Sequence, residues 1–250
     1  IYLFCDSLRS MRQSTEQLME QLKKYPVFDV IKVARKLKTS GKYLRLFLHR
    51  LKQKKVIIAI ERNKYTLCKD PWVVASHIAW PSYISSWAAL RYHHFTEQLP
   101  NTIEIVTSKK RSKRTLSFQG MYFKFIITKP ALIFGFAKHI RDEKELFIAE
   151  PEKALLDAAL FKSMSFSEIR DIVLSHFSRL HKDKIATYLL KIGNKSLIKR
   201  FGYLFDQAGK DYYRRLHHYL DHNVIPLDYS LPEKGNKHVK WRIIDNVAKR

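Results

Sequence analysis

FDVIKVARKLKTSGKYLRLFLHRLKQKKVIIAIERNKYTL, residues 28–67, changes its hydrophobic period partway along. From Asp29 to Lys38 apolar residues recur at helical spacing, with Ile31, Ala34 and Leu37 on one side and Lys32, Arg35, Lys36 and Lys38 on the other. Ser40 can offer its hydroxyl to an unpaired amide of a first turn, so a second helix is expected over 40–53. Its apolar face is Leu44, Phe47, Leu48 and Leu51, and its polar face is Lys42, Tyr43, Arg45, His49, Arg50 and Lys52. After Lys55 the pattern becomes strand-like. Val56 to Ile60 and Tyr65 to Leu67 flank Glu61-Arg62-Asn63-Lys64, a polar turn where Asn tolerates a left-handed backbone. Helix, turn, helix and a basic-tipped hairpin are the parts of a winged helix-turn-helix.

Charge points the same way. Between Lys32 and Lys64 there are twelve lysines and arginines and one acidic residue, Glu61. A solvated surface helix normally mixes signs, whereas a one-sided excess on two successive helices and a hairpin suits a polyanion. The competing reading is a small helical subdomain that is merely basic on its surface.

The whole chain carries a formal charge of +24 over 250 residues. Residues 1–70 account for +11 and the longer remainder for +13, so basic density is concentrated at the N-terminus. That balance favours nucleic acid over an anionic membrane or an acidic protein. No apolar run approaches the ~20 residues needed to span a bilayer. The opening IYLFCDSLRS lacks the basic segment and cleavage site of a signal peptide. Cys5 and Cys68 provide neither a disulfide framework nor a metal set, so the cytoplasm is the expected location.

The expected architecture is α+β: a winged helix-turn-helix over 1–70, then a larger α/β domain over 71–250 with a small, mostly antiparallel sheet and a helical C-terminal part. Ahead of the motif, residues 11–24 read as a lead helix with Met11, Leu18 and Leu22 inward and a Ser14-x-x-Gln17 capping pattern. Asp70-Pro71 starts a fresh helix, and the aromatic-rich stretch to Pro100 reads as two helical runs split by Pro81. Thr102–Thr107, Thr115–Phe118, Met121–Thr128, Leu132–Phe136 and Glu145–Ala149 are expected strands, paired antiparallel because their connections are short. Helices follow at 150–162, 167–180, 182–192, 195–206 and 209–220, and Val239–Val247 is expected to close the sheet.

Candidate chemistry is sparse. His218 and His222 are spaced like ligands on a zinc helix, but no third ligand is placed by sequence. Asp142-Glu143-Lys144 matches half of a nuclease site and lacks the upstream Asp. Phosphate-cradling glycine motifs and the nucleophile elbow are absent from a chain with seven glycines. The expectation is therefore no catalytic residues, no metal and no cofactor, with nuclease activity as an alternative. The basic loop Lys109, Lys110, Arg111, Lys113 and Arg114 is either a solvated hairpin loop, a second phosphate contact or a docking surface for an acidic partner.

Beyond residue 25, the winged-helix stretch and five later segments occur in a distinctive order: DPWVVASHIAWPSYISSWAALRYHHFTEQLP (70–100), TIEIVTSKKRSKR (102–114), IAEPEKALLDAAL (148–160), RFGYLFDQAG (200–209) and HVKWRIIDNV (238–247). The chain resembles the AbiEi antitoxins of type IV toxin–antitoxin systems. His94 stands where that family more often carries Gly. The resemblance implies an N-terminal domain that binds inverted repeats in double-stranded DNA of its own promoter and represses its operon. It implies a C-terminal domain that neutralises a cognate nucleotidyltransferase toxin without necessarily forming a stable complex. It implies no enzymatic activity and no small-molecule substrate. On matched positions, DNA contact falls on Lys42, Tyr43, Arg45, His49 and Arg50 of the second helix and on Arg62 and Lys64 of the wing.

Overall fold

The computed structural model describes residues 16–36 and 40–247, and over them the chain is α+β. Cys5, Met11, Ser14, Leu37 and Lys38 lie outside the described residues.

A helix through residues 16–23 (α1) buries Leu18 and Leu22. Phe28–Asp29 is then a short strand (β1) and not the opening of a helix. The Asp29 carboxylate accepts from the amides of Ile31 and Lys32 at 2.9 and 3.2 Å, capping a helix over Val30–Lys36 (α2). The inward stripe expected for this helix needs correction. Val30 and Val33 are buried while Ile31 is 49% exposed. The cause is the anchoring of the first turn: Val30 donates its amide to Asn63 O at 3.0 Å, which fixes which side of the turn faces in.

Gly41–Gln53 forms α3. Ser40 holds the N-cap position, but its hydroxyl makes no capping bond. The helix stops through paired bonds, Lys55 N to Lys52 O and Val56 N to Leu51 O, with Lys55 at φ 56°, a conformation usually given to Gly. Ile58–Glu61 (β2) and Lys64–Thr66 (β3) pair antiparallel, and Asn63 in their turn has φ 62°. Strand β1 adds to β3 with Phe28 opposite Tyr65, giving the order β1-β3-β2. These helices and strands enclose a small core containing Leu22, Phe28, Val30, Leu44, Leu48 and Ile57.

A second, larger core begins at Ile60 and Cys68 and takes in most of the remaining chain. Asp70 caps a helix over Pro71–His77 (α4), its carboxylate accepting from Trp72 N at 2.8 Å. Beyond Pro81 the expected helical run is instead a strand, Ser82–Ser85 (β4), followed by the helix Ser86–Tyr92 (α5). The six-stranded sheet is completed by Thr102–Thr107 (β5), Thr115–Phe118 (β6), Met121–Ile127 (β7), Phe136–Arg141 (β8) and Lys144–Ala149 (β9). Its order is β6-β7-β5-β4-β9-β8.

The sheet is mixed. Strand β4 runs parallel to β9 and β5 runs parallel to β7, while the pairs β4–β5, β6–β7 and β8–β9 are antiparallel. Short connections mislead here because β5 is bordered by β7, and β6 lies outside β7 at the edge. The strand expected at 132–136 is displaced to β8, with a short 3-10 turn at Pro130–Leu132.

Pro151–Leu160 (α6) packs on the sheet, and Phe166–Ser175 (α7), Lys182–Ile192 (α8) and Lys195–Gln207 (α9) gather around it. Ser165 and Glu168 form a reciprocal capping box at the head of α7. Gly193 at φ 69° ends α8, and Asn194 caps α9. The helix expected over 209–220 reduces to Tyr213–Leu216 (α10) and a 3-10 turn. Val239–Val247 does not close the main sheet. Ile243–Asp245 (β12) instead pairs with Ile225–Pro226 (β10) and Asn236–His238 (β11) in a separate three-stranded sheet. His94 adopts φ 58°, the left-handed region where Gly is favoured.

A charged pair inside this core is not among the expected features. Lys153 and Asp157, one turn apart on α6, are 1% and 0% exposed and ion-paired. Tyr83 and Ser85, two apart on β4, donate to the other Asp157 oxygen at 3.0 and 2.8 Å. Lys153 Nζ also reaches Tyr83 Oη at 2.8 Å. Burial pushes the Asp157 carboxyl up and the Lys153 amine down, each against the pull of the other's charge. Burial and then the Asp157 charge raise Tyr83, so its phenol stays a donor.

Candidate nucleic-acid interface

Helix α3 turns Leu44 and Leu48 inward and leaves a broad cationic face outside. Lys42, Tyr43, Arg45, His49, Arg50 and Lys52 are all exposed. At helical spacing, positions 42, 46, 49 and 53 form one stripe, with 45 and 50 flanking it on either side. Leu46, 50% exposed, therefore sits in the middle of the cations. It is missing from the expected set because a leucine in a leucine-rich helix reads as core. Tyr43 lies toward the edge of the face and stacks on Phe47, ring centroids 6.5 Å apart.

Among the described residues, Lys42, Arg45, Arg50, Lys52 and Arg62 make no ion pair. Arg62 is exposed at the hairpin tip, where the two-residue turn carries it outward.

Lys64 belongs to a different arrangement. Its ammonium is 2.7 Å from Glu61 Oε1 and donates to Ile78 O at 2.7 Å, so it points into the body of the molecule. Glu61 is shared with Arg111, whose Nη2 lies 2.5 Å from Glu61 Oε2. The Arg111 side chain is 7% exposed, and its guanidinium lies 3.8 Å from the centre of the Phe125 ring. Burial disfavours the Glu61 carboxylate, but hydrogen bonds and charge from Lys64 and Arg111 outweigh it and hold the group below the usual carboxylate range. Lys64 and Arg111 thus fasten the hairpin to the larger body and are not free phosphate ligands.

The other cations of the basic loop stay outside. Lys109, Lys110, Lys113 and Arg114 are exposed. With Arg62, the three lysines border a cleft of about 550 Å³ between the β2–β3 hairpin and the loop, and among the described residues lining it Glu61 is the acidic one. Sequence separates Arg62 from Lys109 widely, and the fold brings them to one cleft.

Models of known protein families and curated proteins contain no match to this chain.

The other candidate sites are not assembled. Asp142 and Glu143 form the β8–β9 turn at φ 47° and 61°, and the Lys144 ammonium lies 3.6 Å from Cys68 Sγ. His218 lies in a 3-10 turn that gives way to extended backbone at Leu220, so His218 and His222 do not share a helical face. Among the described residues no group of three or more His, Cys, Asp or Glu could hold a metal ion. None of the described helices is long and apolar enough to cross a membrane.

Proposed function

We propose that the chain is a sequence-specific, double-stranded-DNA-binding repressor whose N-terminal elements act as a winged helix-turn-helix. Helix α3 enters the major groove, where Arg45 and His49 reach base edges while Lys42 and Arg50 hold phosphates. The β2–β3 hairpin is the wing, with Arg62 on the backbone. The observation that carries this reading is the exposed set Lys42, Arg45, His49, Arg50 and Arg62, whose charged members make no ion pair among the described residues. Leaving so many like charges uncompensated on one helix and one turn is unfavourable unless a polyanion neutralises them. The nearby carboxylate, Glu61, is already committed to Lys64 and Arg111.

The proposal extends to the role implied by the AbiEi resemblance: autoregulation through inverted repeats, and antitoxin action on a nucleotidyltransferase in the cytoplasm, with no catalysis by this chain. This extension rests on the resemblance of the segments within residues 71–250, and several of their positions are packing residues. Lys153 and Asp157 of IAEPEKALLDAAL, Phe201 of RFGYLFDQAG and Trp241 of HVKWRIIDNV are interior residues. They hold the core of this chain and mark no reactive surface.

A nuclease footprint on the DNA upstream of its own gene tests the first half. Protection of paired inverted repeats is expected, and affinity should fall by roughly 10³–10⁵ between about 50 and about 200 mM salt. A flat salt response would sink it. Co-expression of the full chain with an adjacent nucleotidyltransferase tests the second half, and absence of protection would refute the antitoxin role alone.

A further inference from the structure

The cleft between the hairpin and the 108–114 loop is more than a place where cations collect. The loop is pinned along its length. Thr107 Oγ1 donates to Pro81 O at 2.7 Å and accepts from Lys109 N at 3.0 Å, which sets where the loop leaves β5. Arg111, at its middle, is clamped between Glu61 and the Phe125 ring. At its far end Arg114 O accepts from Phe125 N at 2.8 Å. The buried arginine thus holds the loop against the hairpin, and the residues on either side of it, Lys109, Lys110, Lys113 and Arg114, face solvent. Among the described residues none of these four makes an ion pair.

A basic loop that only aids solvation has no need of a fixed shape. A loop backbone held in place spares a ligand the cost of ordering the loop, though not that of ordering its exposed side chains, and it sets the spacing from which those cations project. Arg62 borders this cleft and also forms the hairpin tip. A phosphodiester backbone passing the tip would therefore continue directly past the loop. A compact acidic protein surface is the poorer fit. Interface cores are depleted in lysine, whereas Arg62, Lys109, Lys110 and Lys113 crowd the rim of this cleft.

We propose that this cleft holds a second stretch of duplex DNA backbone beyond the stretch met by α3, lengthening the footprint on one side of each recognition helix. The inference rests on the DNA-binding reading above. It makes the larger body a contributor to affinity, through phosphate contacts that carry no sequence information.

The test uses the full chain, a loop variant (K109A/K110A/K113A/R114A) and a helix variant (K42A/R45A/R50A). Each is titrated against mixed-sequence duplexes of about 12 and about 30 base pairs over a range of salt. On the long duplex the loop variant should lose about tenfold or more in affinity, and its salt slope should shrink by up to about 3–4, from about 0.9 per phosphate contact. On the short duplex it should bind like the parent, and the helix variant should lose affinity on both. A loop variant that matches the parent on the long duplex overturns the cleft proposal and leaves α3 standing if the helix variant is weakened. Equal loss on both duplexes also overturns it, because the loop would then lie within the α3 footprint. A helix variant that binds like the parent refutes the α3 reading instead. Polyglutamate serves as an acidic-polypeptide probe. Loss of its binding in the loop variant, with DNA binding unchanged, would reassign the cleft to an acidic protein.

Discussion

Arg111 and Glu61, fifty positions apart, meet in an ion pair with Nη2 2.5 Å from Oε2. The pair joins the hairpin to the loop of the large sheet, with Lys64 on the other carboxylate oxygen. A hairpin swinging freely would present Arg62 over a wide arc. The hairpin is held against the body, so the spacing between its tip and the basic loop is set by the fold.

The brace should be measurable as a coupling. Arg111→Ala and Glu61→Ala, alone and together, are expected to show an interaction energy of about 0.5–3 kcal/mol in urea denaturation, since both groups are largely buried and in contact. The coupling should also depend on pH. The folded Glu61 carboxyl titrates below its ordinary 4.5. Its contribution is therefore fully present above about 4.5 and is lost as pH falls through the lower folded value. Stability of the parent should drop more steeply over that acid range than that of Glu61→Gln. Parallel pH profiles would show that the pair contributes nothing.

Within α3, residues of different chemistry should fail differently. Arg45→Ala is expected to cost about 1–3 kcal/mol on the footprinted site and to relax base preference. Lys42→Ala should weaken all sequences alike and lower the salt slope by about 1. Leu46 presents an apolar side chain among cations, and in a major groove the apolar feature available to it is the thymine methyl. Leu46→Ala should therefore reduce discrimination at a thymine while leaving the salt slope unchanged. A changed slope would show that the helix had shifted.

Local chemistry made much of the fold legible. Asn63 in the hairpin turn, the Asp70-Pro71 helix start and the Gly193-Asn194 break between α8 and α9 all fall where their backbone preferences place them. Strand β4 was hidden because Ser82 and Ser85 are core residues. Their hydroxyls are satisfied by Ser76 O and Asp157, and no periodicity can report that. The parallel pairing of β5 with β7 is equally non-local. At the candidate interface, composition and helical spacing were enough to mark the cations of α3. Charge counting could not tell Lys64 and Arg111 from their neighbours, since what separates them is a shared carboxylate supplied by the fold.

Gly202 lies inside α9, where Ala would ordinarily be favoured by about 1 kcal/mol. The opposite sign is expected here. A Cβ at Gly202 would stand 2.2 Å from Trp241 Cζ3. The indole is fully buried and held by its Nε1 donating to Asp206 at 2.7 Å, so it cannot swing away. Gly202→Ala should destabilise by about 1–3 kcal/mol or more, and Gly202→Ala/Trp241→Leu should be milder than the two single costs added together. Urea midpoints for the three variants decide it. A stabilised Gly202→Ala would mean that the indole repacks.

The pair Lys153–Asp157 gives the sharpest contrast between breaking an interaction and replacing it. Removing one partner strands the other charge in the core. Lys153→Met is expected to cost about 3–5 kcal/mol, and Asp157→Leu a similar amount. Asp157→Leu also takes the carboxylate acceptor from the Tyr83 and Ser85 hydroxyls, leaving Tyr83 with the longer contact to Leu132 O at 3.5 Å. Lys153→Met/Asp157→Leu removes both charges, retains apolar volume and should recover most of the loss, falling short by the cost of those two hydroxyls. Adding Tyr83→Phe to the double variant, whose ring already stacks on Phe136 at 4.9 Å, should recover part of that remainder. Stability of the four proteins in urea, read with DNA affinity, separates scaffold from function. Affinity unchanged in the stable multiple variants is the expected result. A loss of DNA binding in a variant that is fully folded would give the pair a role that packing does not explain.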